Sequence, residues 1–259
     1  MIEDAPEIPG HAVLAGMNRG RDLDVWEVWS ERRACVCIAK TIAPGASRGT
    51  RTRLLQEGRL LRRLAHPHLV RAFEVYPEVP AVVLEPLQGA TLSYLVRDLG
   101  RRLPPEDLAH LGTHLTSAIG YLHSEGWLHL DLKPSNVISD GGLARVIDLS
   151  LARRPGPCKR GLGTSQYLSP EQARGEVVGP PADVFGIGAT LWAAATGKRP
   201  FGVPAPGAPF EQAIRRAEPV RRHRRLPVPL ADVIDSCLEP EPAARPAVGD
   251  LMRELEALA

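Results

Sequence analysis

The chain has 259 residues, 44% of them hydrophobic and 24% charged, with a formal net charge of +2. That length provides one large domain or two lobes sharing a cleft, and the composition provides a real core. Near-neutral charge makes no case for nucleic acid or a membrane surface as the partner. The start, MIEDAPEIPG, lacks the regions of a signal peptide, and no apolar run reaches the ~18 residues of a membrane span.

The first third reads mainly as short strands, at residues 24–29, 34–41, 69–76 and 81–84. One helix interrupts them at 51–64. From Leu87 the pattern turns helical. Leu108, Leu111, Leu115, Ile119 and Leu122 step by three and four, which makes one apolar stripe. Pro104 and Pro105 mark its start and Gly126 follows its end. Further helices are expected at 182–196, 230–238 and 248–257, the first of them buried. Residues 85–89 read as a hinge. Cys35 and Cys37 share one strand face, and their directions oppose a mutual disulfide. No second Cys/His pair follows at zinc spacing. Reduced structural thiols in a cytoplasmic setting are expected, with Cys158 the most exposed.

The segment GWLHLDLKPSNVI places His129, Asp131, Lys133 and Asn136 within eight residues. An aspartate after an apolar strand can orient or take a hydroxyl proton. A lysine two residues on can neutralise charge on a transferred group, and an asparagine oxygen is a hard ligand suited to Mg²⁺. Shortly afterwards comes ARVIDLSLA, a second apolar strand delivering Asp148. A tight turn at Asp140-Gly141-Gly142 would set Asn136 and Asp148 side by side as a Mg²⁺ site facing Asp131. Taken alone, Lys40 reads as a solvated strand end, and Glu57 as a surface partner of Arg53 four residues before it.

The motif HLDLKPSN resembles the catalytic loop of the eukaryotic-like (Hanks-type) serine/threonine protein kinase family, and DLS resembles its metal-binding DFG segment. The resemblance runs in order along the whole chain. CIAK resembles the V-A-I-K strand and supplies Lys40. RLLQEGRLLRRLAHPHLV resembles the helix C region and supplies Glu57. GTSQYLSPEQ resembles the substrate-binding loop ending in A-P-E, with Thr164 and Glu171. ADVFGIGATLW supplies Asp183 as an anchor, and PAARP supplies Arg245 as the partner of Glu171.

The resemblance implies an α+β, bilobal fold with a small strand-rich lobe carrying helix C (1–86) and a larger helical lobe (87–259). It implies transfer of the γ-phosphoryl group of ATP to Ser/Thr hydroxyls of a protein substrate, with Mg²⁺ or Mn²⁺ in its place. Lys40, held by Glu57, would contact the phosphates. Asn136 and Asp148 would hold the metal. Asp131 would orient the acceptor hydroxyl, with Lys133 and Thr164 beside it. Main-chain groups of Glu85 and Leu87 would hold the adenine edge, with Leu84 as gatekeeper, Val28 over the ring and Ile138 beneath it. His129 is expected to pack rather than react.

Three departures stand out. The phosphate-covering loop should read G-x-G-x-x-G-x-V, yet LAGMNRGRDLDVWEVW offers only Gly16 and Gly20, four apart. Arg19 and Arg21 are then expected to substitute partly for the missing glycine N–H groups. Second, Ser150 replaces the glycine of DFG, so its backbone should avoid φ > 0. Third, Leu130 stands where many family members carry an arginine that grips an activation-segment phosphate. Between Ser150 and Thr164 this chain has no Ser, Thr or Tyr, but it has Arg153, Arg154, Lys159 and Arg160. The expectation is a kinase not switched on by phosphorylation in that stretch, its segment ordered by packing, by substrate or by a separate activating partner. The rival expectations are a pseudokinase that binds nucleotide or protein without transfer, and a small-molecule kinase.

Overall fold

The computed structural model describes residues 5–259; the first four residues of the acidic start lie outside the described residues. Two compact units emerge. One runs through Gln88 and includes Asp148–Ser150; the other comprises Gly89–Ile147 and Leu151–Ala259. The division thus falls at Gln88/Gly89 rather than 86/87, and Asp148 belongs with the first unit.

The first unit contains β1 (His11–Arg19), β2 (Leu23–Ser30), β3 (Cys35–Ile42), α1 (Thr50–Arg63), β4 (Ala72–Tyr76) and β5 (Ala81–Leu84). They form a five-stranded antiparallel sheet in the order β1-β2-β3-β5-β4. Alternation along β2 is regular: Asp24, Trp26, Val28 and Ser30 are buried, and the residues between them are less so. Trp26 and Val28 join Cys37, Ala39, Ala81 and Val83 in one apolar cluster. Antiparallel partners share a face. Val25 pairs with Lys40, and Lys40 with Val82, so Val25, Ile38, Lys40, Val82 and Leu84 make up the other face. The strand β1 went unpredicted because its alternation is broken by register shifts between Val13 and Ala15 and between Gly16 and Asn18.

The second unit contains β6 (Ala90–Thr91), α2 (Pro105–Ser124), β7 (Val137–Asp140), β8 (Leu143–Val146), β9 (Gly156–Pro157), α3 (Pro170–Arg174), β10 (Val177–Val178), α4 (Pro180–Thr196), α5 (Val228–Cys237) and α6 (Val248–Glu256). Pro105 opens α2 at its first position, where no N–H is missed, and Glu106 and Asp107 complement the positive end of the helix. The apolar stripe is buried as expected. A Cβ on Gly112 would lie 2.9 Å from Leu255, so this glycine sets how closely α2 approaches α6. Every residue of α4 from Ala182 to Thr196 is buried. The β7–β8 hairpin turns at Gly141 and Gly142, with φ of 57° and 88°. Among the described residues no helix is long and apolar enough to cross a membrane.

Candidate active site

In the first unit, β3 and α1 bring Lys40 and Glu57 together. Lys40 Nζ donates to Glu57 Oε1 at 2.7 Å, and both residues are buried. The bland readings of these two residues fail: Arg53 turns instead toward Asp22, at 3.6 Å. Burial pulls the Lys40 ammonium down, but the charges of Glu57 and Asp148 outweigh it and hold it above its ordinary range. Burial and Asp148 push the Glu57 carboxyl up to about 7 against the pull of Lys40. Glu57 Oε2 has no hydrogen bond of normal geometry, although the Leu149 N–H lies near enough to lower the carboxyl somewhat. Asp148 Oδ1 accepts from the Ser150 N–H at 2.8 Å. As expected, Ser150 is not among the residues with positive φ.

Other contacts in this unit correct the sequence expectations. Val28 lies at 0% exposure inside the apolar cluster, on the face away from Lys40, so it is not positioned to cover a nucleotide. Val25 is the β2 valine that shares the face of Lys40. Counting parity back from Lys40 across the antiparallel pair would have found it. Arg19 is also engaged elsewhere: its guanidinium lies 4.2 Å from the Trp26 ring centroid and 3.2 Å from Asp24. Trp26 belongs to the buried face, so Arg19 folds back on its own hairpin. The Glu85 N–H is spent on the Arg71 carbonyl, 3.0 Å away, whereas the Leu87 N–H has no partner among the described residues.

In the second unit, Asp131, Lys133 and Thr164 close a hydrogen-bonded ring. Lys133 Nζ donates to Asp131 Oδ2 at 2.7 Å and to Thr164 Oγ1 at 2.6 Å. The Thr164 hydroxyl and N–H both donate to Asp131 Oδ1, at 2.7 and 2.9 Å. Asn136 Nδ2 donates to the Asp131 carbonyl at 3.0 Å, leaving the side-chain oxygen Oδ1 of Asn136 without a protein donor among the described residues. Ile138 is half-buried on β7, paired with Thr91. No three His, Cys, Asp or Glu side chains gather into a ready metal cage among the described residues. The Asn136 oxygen and the Asp148 carboxylate are nonetheless hard donors of the kind Mg²⁺ takes when phosphate and water complete its shell.

The backbone behind this ring is not the strand expected before Asp131. Only an isolated bridge joins Leu128 to Arg153, and Leu130 adopts φ +62°. That conformation costs an ordinary residue about 1–2 kcal/mol, so other contacts must hold it. Asp183 on α4 accepts from the His129 N–H at 2.8 Å and the Leu130 N–H at 2.7 Å. Gln172 Nε2 donates to the carbonyls of Leu130 and Leu162, both at 2.8 Å. The Asp131 N–H donates to His129 Nδ1 at 3.1 Å, which leaves His129 buried in a positioning role. Burial would raise the Asp183 carboxyl, but the His123 side chain at 2.9 Å, His129 and the Leu130 N–H hold it below its usual range. Gln172 and His123 were missed in the sequence. The S-x-x-Q capping box at Ser169 was a usable signal for Gln172.

Leu130 packs with Leu128, Cys158, Val178 and Ala182, and Leu162 closes over them. The β9–β10 pair pins the same segment. Cys158 is therefore buried, contrary to expectation, and Cys35 is the partly exposed thiol. Burying a leucine here contributes about 1.5–3 kcal/mol toward ordering the segment. A Cβ at Gly163, where φ is +122°, would lie 2.9 Å from the Leu130 carbonyl, so glycine is required at the turn into Thr164. Farther back, Glu171 and Arg245 form a two-pronged pair at 2.7 and 2.9 Å.

A strand-rich unit carrying a buried lysine–glutamate pair, and a helical unit carrying an aspartate–lysine–threonine ring backed by a Glu–Arg pair, define the protein kinase class of fold. Residues 17–255 match the family model described as protein kinase domain, and the chain belongs to that family. It is 34% identical over 223 residues to serine/threonine-protein kinase PkaA of Streptomyces coelicolor, covering 80% of this chain and 40% of that protein. It is 31% identical to serine/threonine-protein kinase PknB of Mycobacterium leprae (74% of this chain, 33% of that protein). To probable serine/threonine-protein kinase PkwA of Thermomonospora curvata it is 32% identical (79% of this chain, 28% of that protein). The chain thus spans two fifths or less of the length of these relatives.

Proposed function

We propose that the chain is an ATP-dependent serine/threonine protein kinase domain that needs no phosphate on its activation segment. The ring of Asp131, Lys133 and Thr164 carries this reading. A carboxylate held between a cation and a hydroxyl is poised to orient an incoming Ser/Thr hydroxyl and accept its proton. Thr164, bonded to both Asp131 and Lys133, would help position the acceptor hydroxyl, which supports a Ser/Thr substrate. Lys133 neutralises charge on the moving group, and Lys40, kept charged by Glu57 and Asp148, meets the α/β-phosphates. The Leu87 N–H is available to the adenine edge. Asn136 and Asp148 would hold Mg²⁺, which supplies charge neutralisation at the phosphates. Catalysis then rests on positioning and electrostatics.

Independence from a segment phosphate is supported by the apolar packing of Leu130 with Cys158 and Val178, where an arginine would need an anion. The pseudokinase reading draws on one observation, the closure of the β1–β2 hairpin on itself through Arg19, Trp26 and Asp24. Incubation with labelled ATP, Mg²⁺ and a generic protein acceptor separates the two. Transfer by the native chain, reduced about 10²–10⁴-fold in Asp131→Asn, is the expected result. Nucleotide binding with equal background transfer in both would leave the pseudokinase.

A further inference from the structure

The helix α1 presents two unlike faces. Its one acidic residue, Glu57, is buried, while its exposed charged residues are all arginines: Arg51, Arg53, Arg59, Arg62 and Arg63. Arg53 is drawn to Asp22, and Arg51 donates to the Pro77 carbonyl at 2.6 Å. Arg59 and Arg62 have no hydrogen-bond or ion-pair partner among the described residues. They stand at i, i+3, with Arg63 at i+4 from Arg59, spacings at which like charges repel and destabilise a helix. The exposed face of α6 mixes both signs instead, with Arg253 paired to Asp250 beside Glu254 and Glu256. An ordinary solvated helix face follows the α6 pattern.

The arginines also border a shape. Arg59, Arg62 and Arg63 line a concavity of about 410 Å³ whose remaining walls are Val75 and Pro77. Arg62 and Val75 continue into a second concavity with Phe73, where Arg32 is already paired with Glu74 at 3.1 Å, so the guanidinium groups without a partner among the described residues are those of Arg59 and Arg62. Guanidinium forks over an apolar floor suit carboxylates interspersed with apolar side chains. Nucleic acid fits less well, since no aromatic ring lines the first concavity for base stacking and the whole chain carries only +2. We propose that the outer face of α1 is a docking surface for an acidic polypeptide segment of a partner protein, anchored by Arg59 and Arg62. The segment would grip the helix whose inner face holds Glu57.

The test uses the full chain and three fluorescein-labelled probes at low salt: a 15-residue Glu/Leu peptide, its Lys/Leu counterpart, and a 15-nucleotide single-stranded DNA. The Glu/Leu peptide should bind saturably with one-to-one stoichiometry. Its affinity should fall at least tenfold in R59E/R62E and stay unchanged in R101E/R102E, an arginine pair elsewhere. R59E/R62E should now prefer the Lys/Leu peptide. An R59Q/R62Q variant with an unaltered melting temperature, and equally weakened for the Glu/Leu peptide, guards against misfolding. Equal affinity in the wild type and R59E/R62E, no saturable binding by the wild type, or tighter binding of the DNA than of the Glu/Leu peptide would overturn the proposal.

Discussion

Lys40–Glu57 in the first unit and Glu171–Arg245 in the second are both buried ion pairs, and they are built differently. Arg245 meets both oxygens of Glu171 and spends its other N–H groups on the carbonyls of Glu239, Pro181 and Pro240 at 2.7–3.0 Å. Its guanidinium also lies 5.0 Å from the Phe185 ring centroid. Lys40 meets one oxygen of Glu57, and the other lacks a well-formed bond. A pair with every donor satisfied does structural service, since its desolvation is fully compensated. A pair with a gap, next to a third charge in Asp148, is poised for a charged ligand. A buried ion pair alone therefore does not mark function; what sets the Lys40–Glu57 pair apart is its open oxygen together with the neighbouring charge of Asp148.

Substitutions can break this contrast. Lys40→Met should lower turnover about 10²–10³-fold, the scale of losing one electrostatic stabiliser, with little change in melting temperature because Glu57 can take up a proton. Arg245→Met should do the reverse. It leaves the Glu171 carboxylate buried without its partner and costs about 3–5 kcal/mol of stability, read by thermal melting, while turnover measured well below the melting point persists. The smallest effect is in pH. With its carboxyl at about 7 in the folded chain against 4.5 ordinarily, Glu57 binds its proton more tightly folded than unfolded. Its contribution is therefore present at acid pH and lost as pH rises through that window. Glu57→Gln should flatten the stability profile between these values, as followed by melting at each pH.

Much of this was legible in the sequence, for reasons that differ by residue. Lys40, Glu57, Asp131, Asn136 and Asp148 each stand in a short motif, and their order along the chain is informative. The helices were legible because the apolar stripe of α2 and the unbroken apolar run of α4 need no tertiary information. The placement of Val28 failed because a strand in a two-faced sheet offers two equally apolar parities, and only pairing with Lys40 chooses between them. The exposure expected of Cys158 failed because a cysteine among arginines and prolines looks like loop, and its burial depends on Leu130 and Val178 arriving from distant parts of the chain. The expected strand before Asp131 failed at Leu130, whose left-handed backbone is imposed by Asp183 and Gln172.

On the proposed function, packing around Leu130 replaces a phosphate in ordering the segment that ends at Thr164. The most direct test is the initial rate of phosphoryl transfer by protein treated with a broad-specificity phosphatase, with the phosphatase then removed and the phosphate content checked by mass spectrometry. The expected rate is within about twofold of the untreated protein, with no lag. A rate lowered tenfold or more that recovers as phosphate returns to Thr164 or Ser165 would contradict it.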